Sequence, residues 1–242
     1  KQRDILMNYF TMSTVSKSPI KVTDLVKKSK ASSAQIKALI DKEILQDYVL
    51  NVDRVSFSND DIEASKELNI PQSDALNNII KCFDKQNVTL LKGVTSSGKT
   101  EIYVKLIEEV LLQKKQVLYL VPEIALTSQL VNRLKQYFGN QISVFHSRYT
   151  NNERVEVWQH VLNDSDKANV VLGARSSIFL PFSNLGLVIV DEEHEVSYKQ
   201  FDPAPRYHAR DAAIVLASHF GAKTLLGSAT PSIESYFNAR VS

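Results

Sequence analysis

The sequence predicts an α/β protein in which a parallel sheet, covered by helices on both faces, follows a small helical domain. From Pro71 onward, short runs rich in Val, Ile and Leu alternate with helical patterns. These runs are nearly continuous in apolar character, as is typical of strands buried on both faces. Residues 1–58 show a different, mainly helical pattern, and a polar, acidic stretch at 59–70 separates the two parts.

The first 58 residues have the pattern of a winged-helix domain, in which three helices precede a two-stranded hairpin. The elements are a helix around Ile5, Leu6, Tyr9 and Phe10, helices capped by Thr23 (Asp24–Lys30) and by Ser32 or Ser33, and strands at Tyr48–Leu50 and Arg54–Phe57. Many winged helices bind DNA and many only dock proteins, so the pattern leaves the role of this domain open.

We expect residues 71–242 to form the sheet domain, with residues 59–70 as a linker. Six strands are predicted there, at Val88–Leu91, Gln116–Val121, Ile142–Phe145, Asn169–Leu172, Leu187–Val190 and Lys223–Leu226. Helical segments between successive strands favour parallel pairing, because each crossover then runs back over one face of the sheet.

Composition restricts the class of protein without identifying it. The 242 residues are 43% hydrophobic, which is enough for a sizeable core, and no apolar run approaches the length of a membrane span. The single cysteine, Cys82, excludes an internal disulfide and a cysteine zinc cluster, and it favours a reducing cytoplasm. The net charge of +2 is too small to indicate a nucleic-acid partner; residues 1–58 carry +4 (ten Lys or Arg against six Asp or Glu) and the rest −2.

Gly93–Thr100 fits the phosphate-loop pattern G-x-x-x-x-G-K-[ST], and it lies between a predicted strand and a predicted helix. Main-chain amides of such a loop bind phosphates at a helix N-terminus. We expect Lys99 to contact the β- and γ-phosphates and Thr100 to bind Mg²⁺. The candidate nucleotide-binding residues of the loop are Gly93, Thr95, Ser96, Ser97, Gly98, Lys99, Thr100 and Glu101.

A second acidic motif follows the buried strand Leu187–Val190, where the chain continues as Asp191-Glu192-Glu193-His194. Carboxylates at the carboxyl end of a parallel strand face the crevice in which ligands of such sheets bind. We expect Asp191 to bind Mg²⁺ together with Thr100, and Glu192 to deprotonate the attacking water. The predicted catalytic residues are therefore Lys99, Asp191 and Glu192.

Three motifs, Gly93–Thr100, Asp191–His194 and Gly227–Ser232, resemble those of superfamily-two helicases. The likeness to the PriA family of bacterial primosomal helicases is more specific, because Val121–Thr127, His146-Ser147, Gly173–Ser177, Tyr198–Gln200 and Pro205–Asp211 also resemble that family. It covers residues 70–240, and residues 1–58 agree with the winged-helix domain that precedes the motor in this family. Ser96 departs from the pattern, since the family usually has glycine there.

The resemblance implies a RecA-like first lobe of an ATP- and Mg²⁺-dependent 3′-to-5′ DNA helicase that restarts stalled replication forks. Its partners would be single-stranded and forked DNA and other primosome proteins. It would be located in the bacterial cytoplasm at the nucleoid, with no membrane contact. The family's 3′-end-binding domain, zinc-binding insertion and second motor lobe are not in this sequence, so zinc is not expected here. An arginine finger would come from the second lobe, so we expect this chain to bind ATP, hydrolyse it slowly and unwind nothing.

The resemblance also assigns residues outside the phosphate loop. Gln72 would recognise adenine, and the aromatic-rich segment 195–211 would couple ATP state to single-strand binding. The candidate DNA-binding or coupling residues are Arg175, Ser176, Tyr198, Lys199, Arg206, Tyr207, Arg210, Ser228 and Thr230. His146 and His194 are expected to be structural or coupling residues, and Trp158 to pack in the core.

Two other classes of function remain open from the sequence. One is a nucleotide-switched module that binds DNA or protein, and the other is a different superfamily-two translocase. Among the latter, the best-known RNA helicases are disfavoured, because Glu193-His194 stands where they have Ala-Asp.

Overall fold

The computed structural model describes residues 2–15, 20, 22–42, 44–45, 64–146 and 149–241. The chain divides into two compact units, Lys1–Val52 and Asp53–Ser242. The predicted linker, 59–70, lies partly outside the described residues, so its bounds stay a prediction. Within the described part, Ser65 is hydrogen-bonded to Lys105 and Glu108, and the next helix begins at Ile70.

The described part of the N-terminal unit contains three helices, α1 (Gln2–Val15), α2 (Val22–Ser29) and α3 (Ser33–Ile40). Their shared core consists of Ile5, Leu25, Ile36 and Leu39. A capping box between Ser32 and Gln35 begins α3, as the polar residues there predict. Helix α2 starts one residue before Thr23, which is therefore inside the first turn and not the cap. The predicted hairpin strands, Tyr48–Leu50 and Arg54–Phe57, lie outside the described residues.

The second unit is built on a six-stranded sheet in which every pair of neighbours is parallel. The strands are β1 (Val88–Lys92), β2 (Gln116–Leu120), β3 (Ile142–Phe145), β4 (Val170–Gly173), β5 (Leu185–Asp191) and β6 (Lys223–Ser228). All six predicted strands are present, with ends shifted by up to two residues. Their order in the sheet is β1-β6-β5-β2-β4-β3.

Helices cover both faces of this sheet, which explains why its strands are nearly continuous in apolar character. Alternate residues of β2 enter two separate cores: Val117 and Tyr119 face one, Leu118 and Leu120 the other. The first core packs under α4 (Ile70–Phe83), α5 (Lys99–Leu112) and α6 (Ser128–Phe138), and the second under α7 (Asn151–Leu162) and α8 (Ala209–Phe220). The last helix, α9 (Ile233–Val241), contacts β1.

The expectation that Trp158 packs in the core is wrong. Its side chain is 43% exposed, and Val155 is 53% exposed, whereas Val157 and Val161 are fully buried. Residues 157 and 161 are one turn apart and share the buried face of α7, while residue 158 is rotated by about 100° from that face.

Among the described residues, none of the helices combines the length and the apolar character that a membrane span requires.

Parallel pairing brings the carboxyl ends of all six strands to one edge of the sheet. The phosphate loop follows β1, Asp191 ends β5, and Ser228 ends β6. Since β6 lies between β1 and β5, three of the sequence motifs lie side by side at this edge.

Candidate nucleotide and nucleic-acid site

The phosphate loop joins β1 to the N-terminus of α5, as its sequence predicts. The amide of Gly93 donates to the carbonyl of Ser228 at 3.0 Å, which fixes the loop to β6. Gly98 precedes α5 with φ +82°, a conformation that favours glycine. Ser96 also has a positive φ of 62°, at the position where the resembled family usually has glycine. The serine therefore occupies a strained conformation that costs about 1–2 kcal/mol.

Lys99 is buried, and its ammonium is held between two oxygen acceptors. Its Nζ donates to the carbonyl of Gly93 at 3.0 Å and lies 3.6 Å from Oε1 of Glu192. The predicted phosphate-binding cation and the predicted general base are thus direct neighbours. Glu192 has a φ of +47°, which is unusual for a residue with a side chain. Such strain is found preferentially at functional sites.

Asp191 accepts hydrogen bonds from two buried tyrosines. The hydroxyl of Tyr103 donates to Oδ1 at 3.0 Å, and that of Tyr119 donates to Oδ2 at 3.3 Å. Burial raises the pKa of the Asp191 carboxyl; the bond from Tyr103 lowers it and neighbouring Glu192 raises it, so the net direction is upward. The carboxylate is therefore a desolvated anion that a cation would stabilise.

A third tyrosine and a glycine complete the surroundings of Asp191. Tyr198 is 1% exposed and donates from its hydroxyl to the main-chain carbonyl of Asp191 at 2.7 Å. A Cβ on Gly227 would lie 1.8 Å from the hydroxyl of Tyr103, so only glycine leaves room for that side chain. Sequence reasoning missed Tyr103 and Tyr119, because nothing in a buried tyrosine's local pattern indicates the acceptor of its hydroxyl.

The oxygen groups in this pocket suit Mg²⁺. Thr100, Asp191 and Glu192 line one cavity of about 330 Å³ together with Lys99 and the phosphate loop. A hydroxyl and carboxylates are hard oxygen ligands, which Mg²⁺ prefers. Burial leaves the Asp191 carboxylate poorly solvated, so a cation beside it would be stabilising. The predicted ligands Thr100 and Asp191 therefore fit this metal.

Gln72 lies at the start of α4, beside the phosphate loop. Its Oε1 accepts from the amide of Asn69 at 3.0 Å, and its Nε2 donates towards the carbonyls of Gly98 at 3.4 Å and Ser97 at 3.5 Å. Both polar atoms of the amide thus have main-chain partners. Recognition of adenine by Gln72 would require the side chain to exchange these partners for the base.

Arg210, which we expected to contact DNA or to couple, lies in a polar network beneath the surface. Its guanidinium donates to Glu193 and to Asp211, both at 2.8 Å, and Glu193 is fully buried. Ser232 and Ser235 donate to the same glutamate at 2.7 and 2.8 Å. Burial raises the pKa of Glu193, but the bonds from Arg210 and the two serines outweigh it, and the net shift is downward. These partners hold the guanidinium of Arg210 inside the protein, and its role in DNA contact or coupling stays a prediction.

His194 joins the acidic motif to the end of β6. Its Nδ1 is 2.7 Å from the hydroxyl of Ser228, and its Nε2 is 3.3 Å from that of Thr230. Ser228 is fully buried, so it cannot contact DNA directly in this arrangement. A displacement of either motif would be transmitted to the other through this imidazole, which suits the coupling role expected of His194, Ser228 and Thr230.

Arg175 holds the aromatic-rich segment. Its Nη1 donates to the carbonyl of Lys199 at 3.0 Å and to that of Ser197 at 3.4 Å. The ring of Tyr207 packs edge-on against Phe179, with ring centroids 5.1 Å apart. An antiparallel bridge between Lys199 and His208 closes the base of the segment.

The predicted DNA-facing residues of this region thus separate into two groups. Tyr198 is buried under Asp191, so its ring offers no surface on which a base could stack. Arg206 is exposed, and Lys199, Tyr207 and Ser176 are partly exposed. The second group is therefore the part of the predicted surface that DNA could reach.

An arginine that sequence reasoning missed also lies at the phosphate pocket. Arg133 lies on α6, forms an ion pair with Glu101, and lines the same cavity as Lys99 and Glu192. Glu101, a predicted nucleotide-site residue, is thus the ion-pair partner of this arginine. No short motif contains Arg133, so only the packing of α6 beside α5 shows where it lies.

Comparisons with known protein families agree with this geometry. A DEAD/DEAH box helicase model matches residues 69–238, and a model of the winged helix domain of PriA helicase from Bacteroidota matches residues 1–52. Among solved structures, RecG bound to a three-way DNA junction resembles the chain with a TM-score of 0.50 and 23% identity. That match covers 72% of this chain and 22% of RecG, and it supports the fold alone.

Among curated proteins, the chain is similar to replication restart proteins of several bacteria. The replication restart protein PriA of Bacillus subtilis is 43% identical over 99% of this chain, and that of Haemophilus influenzae is 45% identical over 90%. The chain spans about 30% of the length of each of these relatives. The α/β fold and the family resemblance predicted from the motifs are thereby confirmed. The chain belongs to the DEAD/DEAH box helicases and is similar, over almost its whole length, to the replication restart proteins PriA.

Proposed function

We propose that this chain is the ATP-binding first lobe, with its winged helix, of a 3′-to-5′ DNA helicase that restarts stalled replication forks. One observation carries the proposal: Lys99, Thr100, Asp191 and Glu192, from two distant motifs, line one cavity of about 330 Å³. A phosphate-binding cation, Mg²⁺ ligands and a general base in one pocket are the parts that hydrolysis of a nucleoside triphosphate requires.

Each residue has a task that follows from its position. Lys99 offers its ammonium to the β- and γ-phosphates from the N-terminus of α5, where the helix dipole also favours anions. Thr100 and Asp191 would hold Mg²⁺, which neutralises charge on the phosphates when bound. Glu192 accepts the proton of the attacking water, and the 3.6 Å distance between its carboxylate and the Lys99 ammonium supports a base and a cation that act on the same phosphate.

The other predicted roles rest on the family resemblance and remain part of the proposal. Gln72 would recognise the adenine edge, and the loop residues Thr95, Ser96 and Ser97 would surround the phosphates. On the DNA side, Arg206, Lys199 and Tyr207 provide the surface of the aromatic-rich segment. The expected partners are single-stranded and forked DNA and other replication proteins, in the cytoplasm at the bacterial nucleoid.

Coupling between the two surfaces follows from the contacts of the aromatic-rich segment. Tyr198 belongs to this segment and donates to the main chain of Asp191, while Arg175 holds its neighbours Ser197 and Lys199. A strand that displaces the segment would therefore act on the residue that binds Mg²⁺. We expect single-stranded DNA to raise the rate of hydrolysis by this route.

The test is ATP turnover by this chain with and without single-stranded DNA, beside a family member of full length. This chain should bind MgATP and hydrolyse it slowly, because an arginine finger supplied by another lobe typically contributes about 10³–10⁵ in rate. Glu192→Gln should retain MgATP binding and lose hydrolysis, since the amide cannot accept a proton. Absence of MgATP binding would refute the proposal, and turnover equal to that of the full-length relative would refute the incomplete site.

A further inference from the structure

The phosphate pocket contains an ion pair that the mechanism above does not use. Arg133 on α6 pairs through Nη2 with Oε1 of Glu101, in the first turn of α5. The glutamate side chain is 15% exposed and the arginine side chain 38% exposed. Both line the cavity that also contains Lys99, Asp191 and Glu192. The guanidinium is thus fixed at one side and open to the cavity and solvent at the other.

The charges that line this cavity do not favour a polyphosphate without Arg133. Three carboxylates, of Glu101, Asp191 and Glu192, stand against two cations, of Lys99 and Arg133. Lys99 is already shared with Glu192. Glu101 occupies the N-terminal turn of α5, where a carboxylate stabilises the helix but repels phosphate from the same position. Arg133 is the cation that compensates this glutamate.

The geometry also leaves donors for a ligand. An arginine carries five N–H groups in a planar fork, and the ion pair with Glu101 runs through Nη2. Guanidinium groups match phosphate oxygens in two-point contacts better than ammonium groups do. We propose that Arg133 is a further nucleotide-binding residue, which Glu101 holds against the cavity so that its guanidinium contacts the phosphate chain. This inference rests on the proposed function, since it assumes that the cavity binds ATP.

The first experiment measures the affinity of the chain for MgATP by calorimetric titration, with inorganic tripolyphosphate as a competitor that lacks the base. Arg133→Ala should weaken binding of both about tenfold, the loss of one charge-assisted contact. Arg133→Lys should recover part of the loss, because it restores the charge without the fork. Lys135→Ala removes a cation from the same helix outside this cavity, so it should leave both affinities unchanged. Urea unfolding followed through Trp158 reports whether each variant is folded.

A double variant separates contact with phosphate from simple neutralisation of Glu101. If Arg133 contacts phosphate, the combination of Arg133→Ala with Glu101→Gln keeps the weakened affinity. If Arg133 only neutralises the glutamate, that combination restores wild-type affinity and the inference is overturned. If the wild-type chain binds MgATP and Arg133→Ala leaves the affinity unchanged, this inference is overturned but the proposed function is not. A wild-type chain that does not bind MgATP overturns the proposed function and this inference together.

Discussion

The contact between Gly227 and Tyr103 gives the sharpest test of the site's architecture. An added Cβ at residue 227 would lie 1.8 Å from the hydroxyl of Tyr103 and 3.0 Å from its ring. The tyrosine is fully buried and packs edge-on against Tyr119, with ring centroids 5.5 Å apart. Gly227→Ala must therefore displace Tyr103 by more than an ångström, and its hydrogen bond to Asp191 is lost.

The expected cost has two parts. Overpacking a well-packed core costs about 1–3 kcal/mol. Losing a hydrogen bond to a charged acceptor costs about 1.5–3 kcal/mol. The two parts overlap, because one displacement of Tyr103 causes both, so we expect Gly227→Ala to destabilise the sheet domain by about 2–4 kcal/mol.

Urea unfolding measures this cost, with the fluorescence of Trp158 as the probe. Trp158 is the chain's only tryptophan and belongs to the same unit as Gly227. In a Tyr103→Phe background the hydroxyl that clashes is absent, so the alanine should cost about 1–2 kcal/mol less there. If Gly227→Ala unfolds at the wild-type urea concentration, or costs as much in both backgrounds, the contact does not constrain the site as argued.

Two further predictions concern the charged residues. Lys99→Ala should reduce ATP turnover by about 10²-fold or more while the sheet still folds, because its ammonium binds phosphate and does not pack in the core. Phosphate release measures turnover, and urea unfolding followed by Trp158 fluorescence measures stability. Near-normal turnover would contradict the role assigned to Lys99. Glu193→Gln should lower the free energy of unfolding at pH 7 by about 3 kcal/mol, since it removes the buried charge that pairs with Arg210. Because the pKa of Glu193 is lowered in the folded state, its contribution is present above the ordinary glutamate pKa and is lost as the pH falls through the lowered value. Unfolding curves of wild type and variant should therefore converge in acid, and a difference that does not depend on pH would show that the charge is not responsible.

Much of the fold and the centre of the site follow from local sequence. Strands such as Val170–Gly173 are apolar throughout because helices cover both faces, and that pattern predicts a parallel sheet without knowledge of its order. The phosphate loop is likewise local: its glycines, Lys99 and the helix that follows are contiguous, so a motif of eight residues determines its conformation. Parallel pairing then brings Asp191 and Glu192 to the same edge of the sheet.

The partners of the side chains depend on strand order and on the rotation of each helix, which short motifs do not contain. Tyr103 meets Asp191 across 88 positions of sequence, and Arg133 meets Glu101 across 32. The same reason explains why the sequence left open whether Tyr198 and Arg210 contact DNA or couple, whereas the structure shows Tyr198 buried beneath Asp191 and Arg210 paired with Glu193. An aromatic or an arginine has the same sequence pattern whether it stacks on a base or fills a buried polar network. Which one it does is decided by the packing of α8 and the aromatic-rich segment against β5, because that packing sets the burial of each side chain and supplies its hydrogen-bond partners.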